Sequence, residues 1–315
     1  MKFADLHIHT QASDGWFTPD MAVEHAYKAG LAAISIVDHD SVNAMEAAIS
    51  AGKKYGVEVI PGVELSSEFE GQELHILGYF IDWHDRQFQD ELLTIQEARV
   101  GRAKRILERL RDLNINISYN TIIVIAGGAV GRTHIAQAML DRNYVRTVQE
   151  AFEKYLGISR PAYVGKYPLS PAEAIRMIQR VGGVSALAHP VFARTDEVLP
   201  ELVDQGLQAI EAYHSKHDVA ATRHFEQLAK KYDLLIVGGS DAHGREVPVG
   251  AVRIPYEFVE KLREELATRR RKLNNPHPNP WARRGRKIVS QDFNNRLPAR
   301  TFGSPEGRYD NHRIV

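Results

Sequence analysis

The chain has 315 residues, 43% of them hydrophobic and 25% charged, enough for one large α/β domain or two small ones. It contains no cysteine, which excludes disulfides and thiolate ligands. No apolar run reaches the ~18 residues of a membrane helix, and the first residues lack a signal-peptide layout, so a cytoplasmic protein with no membrane partner is expected. The zero net charge hides an asymmetry: residues 269–315 carry 12 Lys/Arg against 3 Asp/Glu, which leaves an acidic body unsuited to nonspecific duplex binding.

In chain order, a strand over 2–8 precedes a helix over 19–29, with Thr18 as N-cap and Pro19 at the first helical position. A strand over 32–37 leads to a helix over 43–55. A strand over 57–60 leads to Glu64, and 74–81 reads as another strand. This βαβα rhythm predicts a parallel sheet. Residues 85–165 break it: 88–113 reads as one long amphipathic helix, 133–143 and 147–156 as two shorter ones. The rhythm resumes at Ser170, where Ser170 and Glu173 form a capping-box start. Strands over 184–188, 208–212 and 234–238 then alternate with helices near 196–205 and 218–232, and a final helix covers 256–268. The Pro-rich start and scattered basic residues that follow predict a disordered tail. The expected organisation is a barrel over 1–84 and 166–268, a helical substrate-capping insert over 85–165, and a basic tail over 269–315.

The chemistry-bearing residues cluster at the ends of these apolar runs. They are His7, His9, Asp14, His39, Glu64, His75, His189, Asp241 and His243. A strand presents residues i and i+2 on one face, so His7 and His9 can address one ion, as can Asp241 and His243. Apart from His75, all nine sit at or just beyond the C-terminal end of a predicted strand, the catalytic end of an α/β barrel. Imidazole and carboxylate donors suit two to three divalent ions, Mn, Fe or Zn. Such a cluster makes hydroxide available near neutral pH and neutralises a phosphate ester's charge. Asp5, Asp38 and Asp40 are candidates to orient the imidazoles.

Five blocks, Asp5-Leu6-His7-Ile8-His9-Thr10, Asp38-His39-Asp40, Gly62-Val63-Glu64, Ala188-His189-Pro190 and Gly239-Ser240-Asp241-Ala242-His243-Gly244, resemble the polymerase-and-histidinol-phosphatase (PHP) family of phosphoesterases. The resemblance covers residues 1–267. It implies a distorted (β/α)7 TIM-like barrel with up to three ions: His7, His9, Glu64 and Asp241 for one, a bridging Glu64 with His75 and His189 for a second, and Asp14, His39 and His243 for the third. Glu64, Asp241 and His189 would be the catalytic residues. The helical insert, Gly131-Arg132-Thr133-His134 and Tyr213-His214-Ser215-Lys216-His217 resemble a bacterial branch that removes the 3′-phosphate from nucleoside 3′,5′-bisphosphates. Some of its members also degrade short 5′-phosphorylated RNA.

On the substrate side, Arg132 and His134 open a predicted helix, a favourable phosphate site. Lys166 re-enters the barrel after the insert, and His214 or Lys216 follows a strand at the catalytic end. Tyr163, Tyr167 and Tyr213 are available to stack on a base, whereas His25, His84 and His224 read as structural. The expected function is in-line hydrolysis of a phosphate monoester by a metal-bridging hydroxide. The expected partners are a phosphorylated small molecule of nucleotide type and short RNA, with no obligate protein partner. The alternatives are a histidinol-phosphate phosphatase and, in another class, a nucleic-acid-binding or proofreading accessory module.

Overall fold

The short β-branched runs pair side by side because each buries both faces, one toward a helix layer and one toward the barrel interior. The computed structural model describes residues 1–274 apart from 127–129, 166–168, 194 and 245. Eight strands are present: β1 Phe3–Ile8, β2 Ala33–Ile36, β3 Glu58–Phe69, β4 Gln72–Tyr79, β5 Val184–Leu187, β6 Ala209–His214, β7 Leu235–Gly239 and β8 Ile254–Pro255. They form one sheet in the order β7-β6-β5-β4-β3-β2-β1-β8. Just past β7, Ala242 exchanges backbone hydrogen bonds with His9 and His7 at 3.0 and 3.3 Å, bringing the two edges together as a nearly closed barrel.

The uniformly parallel sheet expected from the rhythm needs two corrections: the short edge strand β8 runs antiparallel to β1, and the β3–β5 region contains a hairpin. β4 runs antiparallel to both β3 and β5. β3 does not stop near residue 60 but continues through Glu64 to Phe69, then turns back through Glu70 and Gly71, with φ of 48° and 78°. Two consecutive positive φ values make a hairpin turn whose twist matches the strands. Glu-Gly signals such a turn more weakly than Asn-Gly or Asp-Gly, which is why the hairpin was not legible. Glu64 therefore lies inside a strand and not at its end, while His75 lies inside β4.

The helices are α1 Pro19–Lys28, α2 Met45–Tyr55, α3 Arg86–Asp112, α4 Tyr119–Ala126, α5 Arg132–Asp141, α6 Val148–Ala151, α7 Pro171–Arg180, α8 Thr195–Asp204, α9 Val219–Lys231 and α10 Glu257–Asn274, with a π-helical turn over Phe152–Leu156 after α6. Thr18 Oγ1 accepts from the Met21 amide at 3.2 Å, and Ser170 and Glu173 cap α7 reciprocally. α4 was not predicted, because Thr121-Ile122-Ile123-Val124 is a β-branched run with no polar face. α10 extends six residues beyond the expected end. Residues 1–271 gather into one compact unit; of 272–315 only the end of α10 is described, so the tail expected to be disordered lies outside the described residues beyond 274.

Apolar side chains form three clusters. One packs the outer helices on the sheet and includes Phe88, Leu92 and Ile95 of α3. A second runs from Ala103 to Val164 and begins on the same helix. A third includes Ile60, Leu77, Tyr79 and Ala209. By strand alternation these last four share the face that carries Glu64, His75 and Glu211, so the site rests on an apolar floor.

Candidate metal centre

Nine sequence-predicted residues converge at one mouth of the barrel, organised around three carboxylates. Glu64, fully buried in β3, meets five imidazoles. Its Oε2 lies 3.4, 3.2 and 3.2 Å from His7 Nε2, His9 Nε2 and His39 Nδ1. Its Oε1 lies 2.9 Å from both His75 Nδ1 and His189 Nε2. Asp241 Oδ1 lies 3.3, 3.2 and 3.5 Å from His7, His9 and His243. Asp14 lies 3.2 Å from His243 and 3.7 Å from His9 and from His39. No two of the three carboxylates share the same set of imidazoles.

The local backbone explains how these side chains are aimed. Gly239 of β7 passes so close to β1 that a Cβ there would meet the His7 amide nitrogen at 2.3 Å. His189 and Asp241 have φ of 25° and 54°, left-handed values that cost energy in non-glycine residues and that gather at functional sites. The expectation that Asp5, Asp38 and Asp40 orient imidazoles is not what the hydrogen bonds show. Asp38 accepts from Thr10 N, Thr10 Oγ1 and Ser13 Oγ at 2.7, 2.6 and 2.6 Å, fixing the loop after His9. Asp5 accepts from Ser240 N, Ser240 Oγ and Gly250 N at 2.8, 2.5 and 2.8 Å, tying β7 to β1. Asp40 accepts from Ser66 N and from the Arg99 guanidinium. Burial raises the Asp5 carboxyl to about 6 against the pull of these donors.

One residue that does orient an imidazole was missed: Glu211, buried in β6. Its Oε1 accepts from His7 Nδ1–H at 2.9 Å, and its Oε2 accepts from the His189 amide at 2.7 Å, bracing that strained backbone. The available signal was a carboxylate inside the apolar run Ala209-Ile210-Glu211-Ala212. With Nδ1–H committed to Glu211, the neutral His7 ring presents its Nε2 lone pair toward His9 Nε2, 3.1 Å away, and toward two carboxylates. Acceptors converging on one point need a proton or a cation between them.

The donor set fits metal ions. Among the described residues nine buried side-chain N or O atoms lack an aligned hydrogen-bond partner, and four are Asp14 Oδ1, His39 Nδ1, Glu64 Oε2 and His214 Nε2. Four groups bring ligand atoms within 4.8 Å of one another: His9, Asp14, His39 and His243; His7, His9 and Glu64; His39, Glu64 and His75; and His7, His214 and Asp241. These groups overlap the expected sets only in part: His189 joins none of them, Asp241 groups with His7 and His214, and His39 also joins the Glu64–His75 group. Ion-free, the imidazoles divide. Burial opposes protonation of His9 and His75, but carboxylates, chiefly Asp241 and Glu64 for His9 and Glu64 for His75, outweigh it and lift them to about 10 and about 9. Burial dominates at His39, which falls to about 3.

The cluster opens into a cavity of about 350 Å³ whose lining includes Asp14, His39 and His75 together with Arg99, Arg102, Arg132 and His134. Arg132, expected here, lies over the rings of Phe152 and Tyr163 at 5.7 and 5.8 Å. Arg99 and Arg102 were not foreseen, because they read as part of the charged face of a long helix. Gln96 and Arg99 clamp α3 to the barrel through Asp40, and Arg102 Nε donates to Val164 O at 2.8 Å. Burial, with Arg132 adding to it, lowers Arg102 to about 10, which leaves it cationic at neutral pH. His134 Nδ1 accepts from Gly131 N at 3.0 Å, so its Nε2 carries the proton in the neutral ring. The other substrate candidates fall elsewhere. His214 is buried behind Asp241, Lys216 is exposed and does not line the cavity, and Lys166 and Tyr167 lie outside the described residues. Tyr213 stacks on Phe258 and donates to Glu226, away from any base.

A barrel whose strands bring imidazoles and carboxylates to one mouth is the architecture of a metal-dependent hydrolase. The family model described as PHP domain matches residues 5–164, and the chain belongs to that family. It is 32% identical over 249 residues to the 5′-3′ exoribonuclease of Salmonella typhimurium, covering 76% of this chain and 84% of that one. It is 28% identical over 259 residues to the 3′,5′-nucleoside bisphosphate phosphatase of Chromobacterium violaceum, covering 78% and 91%. A solved structure from Bifidobacterium adolescentis, assigned as a metal-dependent phosphoesterase, superposes with a TM-score of 0.71 at 28% identity over 82% of this chain and 94% of that one. No described helix is long and apolar enough to cross a membrane.

Proposed function

We propose that this phosphoesterase removes the 3′-phosphate from nucleoside 3′,5′-bisphosphates and acts on short 5′-phosphorylated RNA. One observation carries the reading: a single cavity is lined both by Asp14, His39 and His75 of the carboxylate–imidazole cluster and by three arginines. A substrate with two separated phosphates satisfies both groups. One phosphate meets the cluster and the other meets Arg99, Arg102 and Arg132, where charge-assisted bonds are strongest. The volume suits a nucleotide-sized ligand, since such sites span roughly 300–1,000 Å³.

His7, His9, Glu64 and Asp241 would hold one ion, Glu64 with His75 and His189 a second, and Asp14, His39 and His243 a third. Bound Mn, Fe or Zn supplies an activated water at neutral pH and offsets the phosphate charge. The protein's own part is positioning. Glu211 fixes the His7 tautomer, the Arg132 guanidinium is held over Phe152 and Tyr163, and Arg99 is held by Asp40 and Ser66 Oγ, the latter at 2.7 Å. Three guanidiniums also disfavour histidinol phosphate, whose ammonium they would repel. The test is phosphate release by protein loaded separately with each metal, from adenosine 3′,5′-bisphosphate, histidinol phosphate and a 5′-phosphorylated trinucleotide. Fastest turnover of histidinol phosphate would overturn the proposal.

A further inference from the structure

None of the nine cluster residues lies on β6, yet β6 delivers two buried polar side chains to the cluster, Glu211 and His214. The strand ends in a tight turn. The His217 amide donates to His214 O at 3.0 Å, and His217 Nδ1 donates to Ala212 O at 2.9 Å. This turn lays the Lys216 backbone N–H on His214 Nδ1 at 3.1 Å. A backbone N–H only donates, so Nδ1 accepts, and the neutral ring carries its proton on Nε2. That Nε2 is wholly buried, 3.3 Å from Asp241 Oδ2, and has no aligned hydrogen-bond partner among the described residues. The other oxygen of Asp241 faces His7 and His9 at 3.3 and 3.2 Å.

We infer that His214 is a positioning residue whose Nε2–H holds Asp241 Oδ2 and so turns Oδ1 toward the point that His7 and His9 share. The inference rests on the metal-centre reading above. Distance alone also admits His214 as a direct ligand, since its ligand atom groups with those of His7 and Asp241. That role needs a bare Nε2 and a proton on Nδ1, which would set two N–H donors against each other at 3.1 Å. The hydrogen bond decides between the roles. It also gives Asp241, whose φ is 54°, an outside support for its carboxylate.

The test is 15N NMR of the histidine rings in the full chain, ion-free and loaded with 113Cd. His214 should show the Nε2–H tautomer in both states and no cadmium coupling, whereas His7 and His9 should couple. Cadmium affinity is then measured by chelator competition for His214→Asn and His214→Gln. Glutamine places its amide nitrogen near the position of Nε2; asparagine does not reach it. His214→Asn should weaken binding by roughly 10–100-fold, the usual cost of losing a group that orients a ligand, and His214→Gln should restore most of the loss. Cadmium coupling at His214 Nε2, or wild-type affinity in both variants, would overturn the inference. Absence of coupling at every histidine is a different result: it would overturn the metal-centre reading and the positioning role with it.

Discussion

Replacing Gly239 by alanine tests the packing that aims His7. The added Cβ would lie 2.3 Å from His7 N and 2.4 Å from His7 Cβ, against an ordinary contact limit of 3.4 Å. Relief needs a relative shift of about 1 Å between β7 and β1. Overpacking of that kind costs about 1–3 kcal/mol of stability. The displaced His7 is the ring that faces Glu64, Asp241 and His9, and a misplacement of about 1 Å in a catalytic constellation costs on the order of 100-fold in rate. Gly30→Ala is the control: it adds left-handed strain at φ +71° with nothing within 4 Å, costing about 1–2 kcal/mol. Thermal unfolding and turnover of adenosine 3′,5′-bisphosphate are measured for both. Gly239→Ala should lose stability and nearly all activity; Gly30→Ala should lose stability alone. Equal turnover in the two variants would refute the reasoning.

Glu64→Ala should abolish turnover and sharply lower bound metal, because one carboxylate serves five imidazoles; full metal content by atomic emission would contradict this. Arg132→Ala should lower kcat/KM on a nucleoside bisphosphate about tenfold to a hundredfold, the worth of a charge-assisted contact of about 1.5–3 kcal/mol, with less effect on a substrate bearing one phosphate. Equal losses on both substrates would remove Arg132 from the second phosphate's site. Protonated His9 and His75, raised to about 10 and about 9, stabilise the ion-free fold fully below pH 6.5 and lose that contribution as pH rises through those values. Metal must displace the same protons, so the gain in Tm on adding metal should widen between pH 6.5 and 9.5. A constant gap would show that these rings are not ligands.

The parts of the site legible in the sequence were those whose residue types are costly without a purpose. A histidine at the end of an apolar run is an expensive place for a polar group, so His7, His9, His39, His189 and His243 stood out. Glu211 is equally buried but arrives as a single carboxylate in a strand, with nothing beside it to mark its role. Arg99 and Arg102 were hidden in a charged helix face, because one-dimensional spacing does not reveal which turn of a 27-residue helix crosses the cavity. His214 was placed at the catalytic end correctly, but its direction depended on the turn that follows it. The βα rhythm marked the alternating strands and helices, and it missed the antiparallel pairings because alternation reports which face a residue takes and not the direction of the strand.

The two apolar clusters that share α3 bear on how substrate enters. Phe88, Leu92 and Ile95 anchor one end of this rod in the barrel, and Ala103, Ile106, Leu107 and Leu110 anchor the other in the insert. Arg99 and Arg102 lie on the span between the anchors, so the guanidiniums facing the cluster ride on the same lever that carries the insert. A shift of the cluster that begins at Ala103 relative to the barrel would therefore bend or carry α3. Gly101 occupies that span, and a glycine there weakens the helix by about 0.5–1 kcal/mol relative to alanine. Access to the site is in this sense a question of bending stiffness, concentrated within one turn of a single helix.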